Sequence, residues 1–118
     1  SLGVTITPSG AVCANILGFS NQVPAQNNYL TTGRSFKRKI GSNIICFKHT
    51  KINPPIDTPS KIILIINALN YLGKNNITDE ILNKCASILS SVDKKYLIKM
   101  SNNLSSWMAD IIYKLNTA

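Results

Sequence analysis

His49 is the single histidine in the chain, and chemistry through it would need a partner. A histidine works as a general base when one group orients it and a nucleophile lies within reach. With no second His, and nothing marking a Ser or Cys as partner, the sequence offers no support for a nucleophilic triad. Five carboxylates are present, Asp57, Asp79, Glu80, Asp93 and Asp110, with one adjacent pair, Asp79-Glu80. That pair suits the first turn of a helix, where the dipole favours negative charge, better than a two-carboxylate or metal site. Gly73-Lys74 has the ending of a phosphate loop, but the upstream Gly is absent and Asn75 stands where a Ser or Thr would hold magnesium. Cys13, Cys46 and Cys85 are 33 and 39 residues apart, which fits neither a disulfide framework nor a zinc site. They read as buried free thiols in a reducing cytoplasm, where the sequons at Asn76 and Asn103 have no meaning. The sequence therefore predicts no enzyme, no cofactor and no metal.

What remains is binding. The first 56 residues hold no Asp or Glu, and their six charges are all positive: Arg34, Lys37, Arg38, Lys39, Lys48 and Lys51. The remaining 62 residues carry seven Lys against the five acids, so the two parts are +6 and +2 and give the net +8. Such asymmetry predicts a surface for an anionic partner, and phosphate is the usual one. The alternative is compositional drift in a Lys- and Asn-rich chain. Lysine-heavy contacts position a protein on phosphates rather than reading bases. No basic recognition helix, zinc finger or aromatic-studded RNA-binding sheet is legible. Duplex DNA, if bound, is met without much sequence preference.

The elements that would position these residues follow from the pattern. One domain spans residues 1–118, a length that buries roughly two-thirds of the unfolded surface. The longest strongly apolar stretch, residues 62–66, is far too short to span a bilayer, so no membrane association is predicted. No signal peptide is legible at the start, which also lacks Met, and this predicts a piece of a longer protein. Thr7-Pro8 predicts a helix start, with an apolar stripe of Ala11, Val12 and Ile16 and a stop at Gly18. Residues 20–28, with Pro24, read as a loop. Strands are predicted at 29–32, 36–40 and 44–48. Gly41-Ser42 as the centre of a type II′ turn would set Lys39 opposite Ile44, Lys37 opposite Cys46 and Phe36 opposite Phe47. Lys37, Lys39 and Lys48 would then share one face, and Phe36, Arg38, Ile40, Ile45 and Phe47 the other, with His49 on that greasy side. A solvated face kept soluble by lysines is an equal alternative reading of the first set.

After a proline-containing connection at 53–55, Thr58 caps and Pro59 starts a helix that ends at Gly73. Thr78-Asp79-Glu80 opens the next, with a stripe of Ile81, Leu82, Cys85, Ile88 and Leu89. A third begins near Ser91 and uses Val92, Tyr96, Leu97 and Met100. The last begins near Ser105 and uses Trp107, Met108, Ile111, Ile112 and Leu115. The fold class is thus α+β: a short N-terminal helix, a small antiparallel sheet with a hairpin, then about four packed helices.

Several segments together resemble the C-terminal region of AbiEi-type antitoxins of bacterial type IV toxin–antitoxin systems. They are ITPSGAVCANILGFSNQVPAQNNYLTTG (6–33), KIGSNIICFKH (39–49) and INALNYLGKNNITDE (66–80). The order and spacing of Ser9-Gly10-Ala11, Leu17-Gly18, Gln22-Val23-Pro24-Ala25, Tyr29-Leu30-Thr31 and Phe47-Lys48-His49 carry the likeness, over about two-thirds of the chain. Members of that family typically carry an N-terminal winged helix that binds operator DNA; none is legible in these 118 residues, so operator recognition is not expected of them. The resemblance implies a C-terminal domain that counteracts a nucleotidyltransferase-like toxin, with or without direct contact, and that assists DNA binding. It also implies that Ser9-Gly10 builds the first helix and that Tyr29 and Trp107 pack rather than stack on bases. Two other readings stay open: an orphan nucleic-acid-binding or regulatory module, and a protein-interaction or dimerisation domain.

Overall fold

The computed structural model describes residues 4–21, 28–52, 54 and 57–117. Of the loop expected at 20–28, residues 22–27 lie outside these residues, as does most of the 53–55 connection, and Asn28 already belongs to a strand. The order is β1 (Ile6–Pro8), α1 (Gly10–Ile16), β2 (Asn28–Thr31), β3 (Phe36–Ile40) and β4 (Asn43–His49), then α2 (Ser60–Leu72), α3 (Asp79–Ile88), α4 (Ser91–Met100) and α5 (Ser106–Thr117). Single 3₁₀ turns at Lys74–Asn76 and Ser101–Asn103 precede α3 and α5. The fold is α+β, as the pattern predicts.

The sheet runs β1-β2-β4-β3 and is mixed rather than wholly antiparallel. β3 leaves β2 along the outer edge, and β4 returns between them, so β2 and β4 are parallel. The hairpin has the predicted register: Phe36 faces Phe47, Lys37 faces Cys46 and Lys39 faces Ile44. Gly41 has φ +62°, and no non-glycine among the described residues has positive φ, as a type II′ turn at Gly41-Ser42 requires.

Two capping expectations are corrected. Thr7 and Pro8 belong to β1, where they pair with Leu30 and Tyr29, and Ser9 caps α1 by accepting from Val12 N–H at 3.3 Å. A strand partner in β2 outranks the local preference of Thr-Pro for a helix start, and Thr7 Oγ1 instead accepts from the Asn67 amide at 3.0 Å. Thr58 does not cap α2 either: its hydroxyl bonds Tyr96 Oη at 2.9 Å, and Pro59 occupies the cap position without a side-chain bond. Thr78 does cap α3, through Ile81 N–H. Gly73 ends α2 at φ +81°.

The core is helical. Ile62, Ile65, Ile66 and Leu69 of α2 are buried among Cys13 and Ala14 of α1, Leu97 of α4, and Met108, Ile112 and Leu115 of α5. Apolar positions three and four apart on each helix supply this, with roughly 1.5–3 kcal/mol per fully buried large side chain. Val92, expected in the α4 stripe, is 75% exposed in that helix's first turn. The stripe begins at Tyr96 instead. Gly10 sets the approach of α1 to α2. A Cβ there would lie 2.4 Å from Tyr71 Cβ and 2.8 Å from the Asn67 carbonyl oxygen.

α4 opens on a capping box: Ser90 Oγ accepts from Asp93 N–H at 3.1 Å, and the Asp93 carboxylate accepts from Ser90 N–H at 2.9 Å. Lys61 of α2 reaches the same carboxylate at 3.1 Å. The Ser90 amide first, then the Lys61 ammonium, hold the Asp93 carboxyl below its ordinary range. A carboxyl lowered on folding contributes stability that is complete above its unfolded pKa and is lost as pH falls through its folded one. Asp93→Asn is therefore expected to lower the melting temperature at pH 6 and to flatten the acid limb below about pH 4. Thermal melts across pH check this; an unchanged acid limb contradicts it. Among the described residues, no helix is long and apolar enough to cross a membrane.

Candidate phosphate-binding face and adjoining cleft

The register places Lys37, Lys39 and Lys48 on one face of the sheet, together with Leu30, Cys46 and Thr7. The Thr7–Asn67 bond shows that this is the face turned toward α2. α2 covers it at the β1–β2 end, while Lys37 and Lys39 extend beyond the helices and are exposed. Lysine is thus on the side the helices flank, which alternation alone did not reveal.

The six sequence-predicted cations do not form one surface. Lys37, Lys39 and Lys48 share the helix-side face, and Lys51, just past β4, borders the cleft next to it. Arg38 lies on the opposite face, with its guanidinium carbon 5.9 Å from the centre of the Phe36 ring. Arg34 borders a small hollow with Thr31 and Phe36. Among the described residues, the two ion pairs are Lys61–Asp93 and Lys84–Glu80, so none of these six cations is neutralised by a carboxylate.

The cleft has a volume of about 890 Å³. Lys48, Cys46 and Asn28 supply its sheet wall. Asn67, Asn70 and Tyr71 of α2 supply the opposite wall, and Asn103 to Ser105 close one end. No carboxylate among the described residues lines it. No group of three or more His, Cys, Asp or Glu among the described residues is placed to hold a metal ion.

His49 has a structural job. A carbonyl can only accept, so His49 Nδ1–H donates to the Gly33 oxygen at 2.7 Å, and His49 N–H donates to Ser35 Oγ at 2.8 Å. Both bonds tie the end of β4 to the β2–β3 loop.

The outer face carries a row of rings. Phe36 stacks on Phe47 at 4.4 Å and 10°, and Phe47 on Tyr29 at 5.6 Å and 22°. Phe36 is 41% exposed and Ile40 57%, so the β3 part of this face is open, whereas Thr31 at its β2 end is buried. Sequence reasoning put Phe36 and Phe47 together but missed Tyr29, because the parallel β2–β4 pairing leaves no local signal. Trp107 packs against the helical core.

The three thiols are free and unequal. Burial pushes the Cys13 thiol up to about 11 and that of Cys85 to about 12, whereas Cys46 is half-buried on the cleft wall. A small alkylating reagent at pH 8 is expected to modify Cys46 first, with Cys13 and Cys85 reacting only on unfolding. Mass mapping of the earliest adduct checks the order, and early modification of Cys85 contradicts it.

A mixed sheet with an un-neutralised lysine face, flanked by helices, defines a small α+β domain. The chain belongs to the DUF6088 family, described as a family of unknown function, whose profile matches residues 3–97. That span takes in the whole sheet, the cleft's two long walls and α1 to most of α4. No curated protein and no solved structure matches the chain.

Proposed function

We propose that this domain is the C-terminal domain of a cytoplasmic type IV antitoxin, counteracting a nucleotidyltransferase-like toxin, and that its lysine face lays the protein along duplex-DNA phosphates. The likeness of residues 6–80 to AbiEi-type antitoxins supports the first part. The observation that carries the second is the set of Lys37, Lys39 and Lys48 on one face, with Lys51 beside it and no carboxylate partner. Each lysine that neutralises a phosphate releases counterions, so affinity must depend on salt. Growth rescue tests the antitoxin role: the domain, expressed with its cognate nucleotidyltransferase-like toxin, is expected to restore growth. A folded, well-expressed domain that leaves toxicity unchanged contradicts that role.

The uncovered row Tyr29–Phe47–Phe36 favours a second reading, a protein-interaction surface. Exposed contiguous aromatic area marks interaction sites, and Phe, Tyr and Arg are enriched at them. On this reading Phe36→Ser abolishes rescue while leaving the salt dependence of DNA binding intact.

A further inference from the structure

We infer that the cleft beside the lysine face binds a nucleotide, its phosphate at Lys48 and Lys51 and its base against Tyr71 and the amides of Asn70 and Asn103. This goes beyond duplex binding, because Lys37 and Lys39 lie outside the cleft and a single nucleotide, not a backbone, would occupy it.

Size sets the first constraint. A volume of about 890 Å³ lies within the range of roughly 300–1,000 Å³ typical of small-molecule sites. A bare phosphate would leave most of it to water. Charge sets the second. Among the described residues the lining contains Lys48 and Lys51 and no carboxylate, and neither lysine is in an ion pair. An anionic group placed there meets no repulsion and two charge-assisted donors.

The opposite wall and the end beside it call for a planar, hydrogen-bonding group. Asn70 and Asn103 are exposed to the cleft, and each amide offers donors and an acceptor, a pairing suited to a base edge. Among the described residues neither side chain has a hydrogen-bond partner. Tyr71 is 52% exposed, leaving its ring available for stacking. Its root is fixed, since Gly10 brings α1 so close that an added Cβ would meet Tyr71 Cβ at 2.4 Å. The ring therefore starts from a set position, which lowers the ordering cost of binding. Cationic groups on one wall with amides and a ring on the other match a phosphate joined to a base, and match a lipid headgroup or a bare anion less well.

Cys46 on the cleft wall makes the test direct. Alkylation of Cys46 is timed in the full chain with each of the four nucleoside 5′-monophosphates, with the matching nucleosides, with inorganic phosphate, and with 5′-phosphorylated trinucleotides. At least one monophosphate or trinucleotide is expected to slow Cys46 alkylation about tenfold at saturation, while nucleoside or phosphate alone does so only at much higher concentration. Lys51→Ala is expected to weaken that protection about tenfold, and so is Asn103→Ala. Tighter binding of the trinucleotide identifies a strand end as the ligand, and equal binding identifies a free nucleotide. No protection by any of these ligands at millimolar concentration, with Cys46 reactive and the protein folded, overturns the proposal. Protection by inorganic phosphate as strong as by nucleotides overturns it too. Lys48 and Lys51 serve both readings, but duplex binding is tested at Lys37 and Lys39, outside the cleft, and nucleotide binding also at Asn103, so each can fail alone.

Discussion

Gly10→Ala is expected to destabilise the protein by about 3 kcal/mol, a large share of the roughly 5–15 kcal/mol that holds a domain of this kind folded. Two effects oppose each other at this position. Alanine is the better helix former, by up to about 1 kcal/mol. Against that, the new methyl would lie 2.4 Å from Tyr71 Cβ and 2.8 Å from the Asn67 carbonyl oxygen. Neither neighbour is the free end of a flexible side chain, so α1 and α2 must separate. Cys13 and Ala14 on α1 are fully buried against the helical core, so separation also opens packed apolar surface. The clash outweighs the propensity. Gly18→Ala provides the contrast: its Cβ would meet nothing within 4 Å, and its cost comes from φ +77° alone, about 1 kcal/mol. Denaturant midpoints at constant slope measure both. Gly10→Ala as stable as the unaltered protein would mean that the α1–α2 contact yields freely. The same substitution should loosen Tyr71, and with it the cleft wall.

Local signals carried much of the fold. The Gly41-Ser42 turn and the alternation on either side fixed the hairpin register, because a two-residue turn leaves one way to pair Phe36 with Phe47. Thr78 before Asp79-Glu80, and Gly73 after Leu72, set real helix ends. Where non-local partners decided the outcome, sequence reading fell short. Thr7-Pro8 has the chemistry of a helix start, yet β2 recruits it as a strand. Thr58 has the chemistry of a cap, yet the Tyr96 hydroxyl, 38 residues away, takes its side chain.

The candidate site shows the same division. Alternation together with the register set by the Gly41-Ser42 turn places Lys37, Lys39 and Lys48 on one face. That Arg34 and Arg38 leave this cluster follows from side-chain direction: Arg38 alternates away from Lys37 and Lys39, and Arg34 turns with the β2–β3 loop. The cleft was not legible at all. Its walls come from residues as distant as Asn28, Tyr71 and Ser105, which no window of sequence brings together. Only the free amides and the missing carboxylates, seen once the walls meet, give it a chemical character.

The second large effect concerns Lys37 and Lys39. If Lys37, Lys39, Lys48 and Lys51 each neutralise one phosphate, log affinity for duplex DNA falls with log salt at a slope of about −3.6. Removing two of the four flattens it by about two units, and affinity at low salt drops by roughly two orders of magnitude or more. Both side chains are exposed, and neither is in an ion pair or a side-chain hydrogen bond among the described residues, so the fold should be nearly unaffected. Arg38→Ala, on the other face, should leave the slope close to its starting value. That pattern separates a face built for phosphate from a general effect of the +8 net charge, which would respond to any cation removed.

Duplex-DNA affinity of the domain and of its Lys37→Ala/Lys39→Ala form, titrated across salt, is the most direct test of the lysine face. A lysine face that lies on phosphates gives a steep slope for the first and one flatter by about two units for the second, with both proteins folded. An identical slope in a folded double variant would contradict it, and would move the search for the partner to the aromatic face.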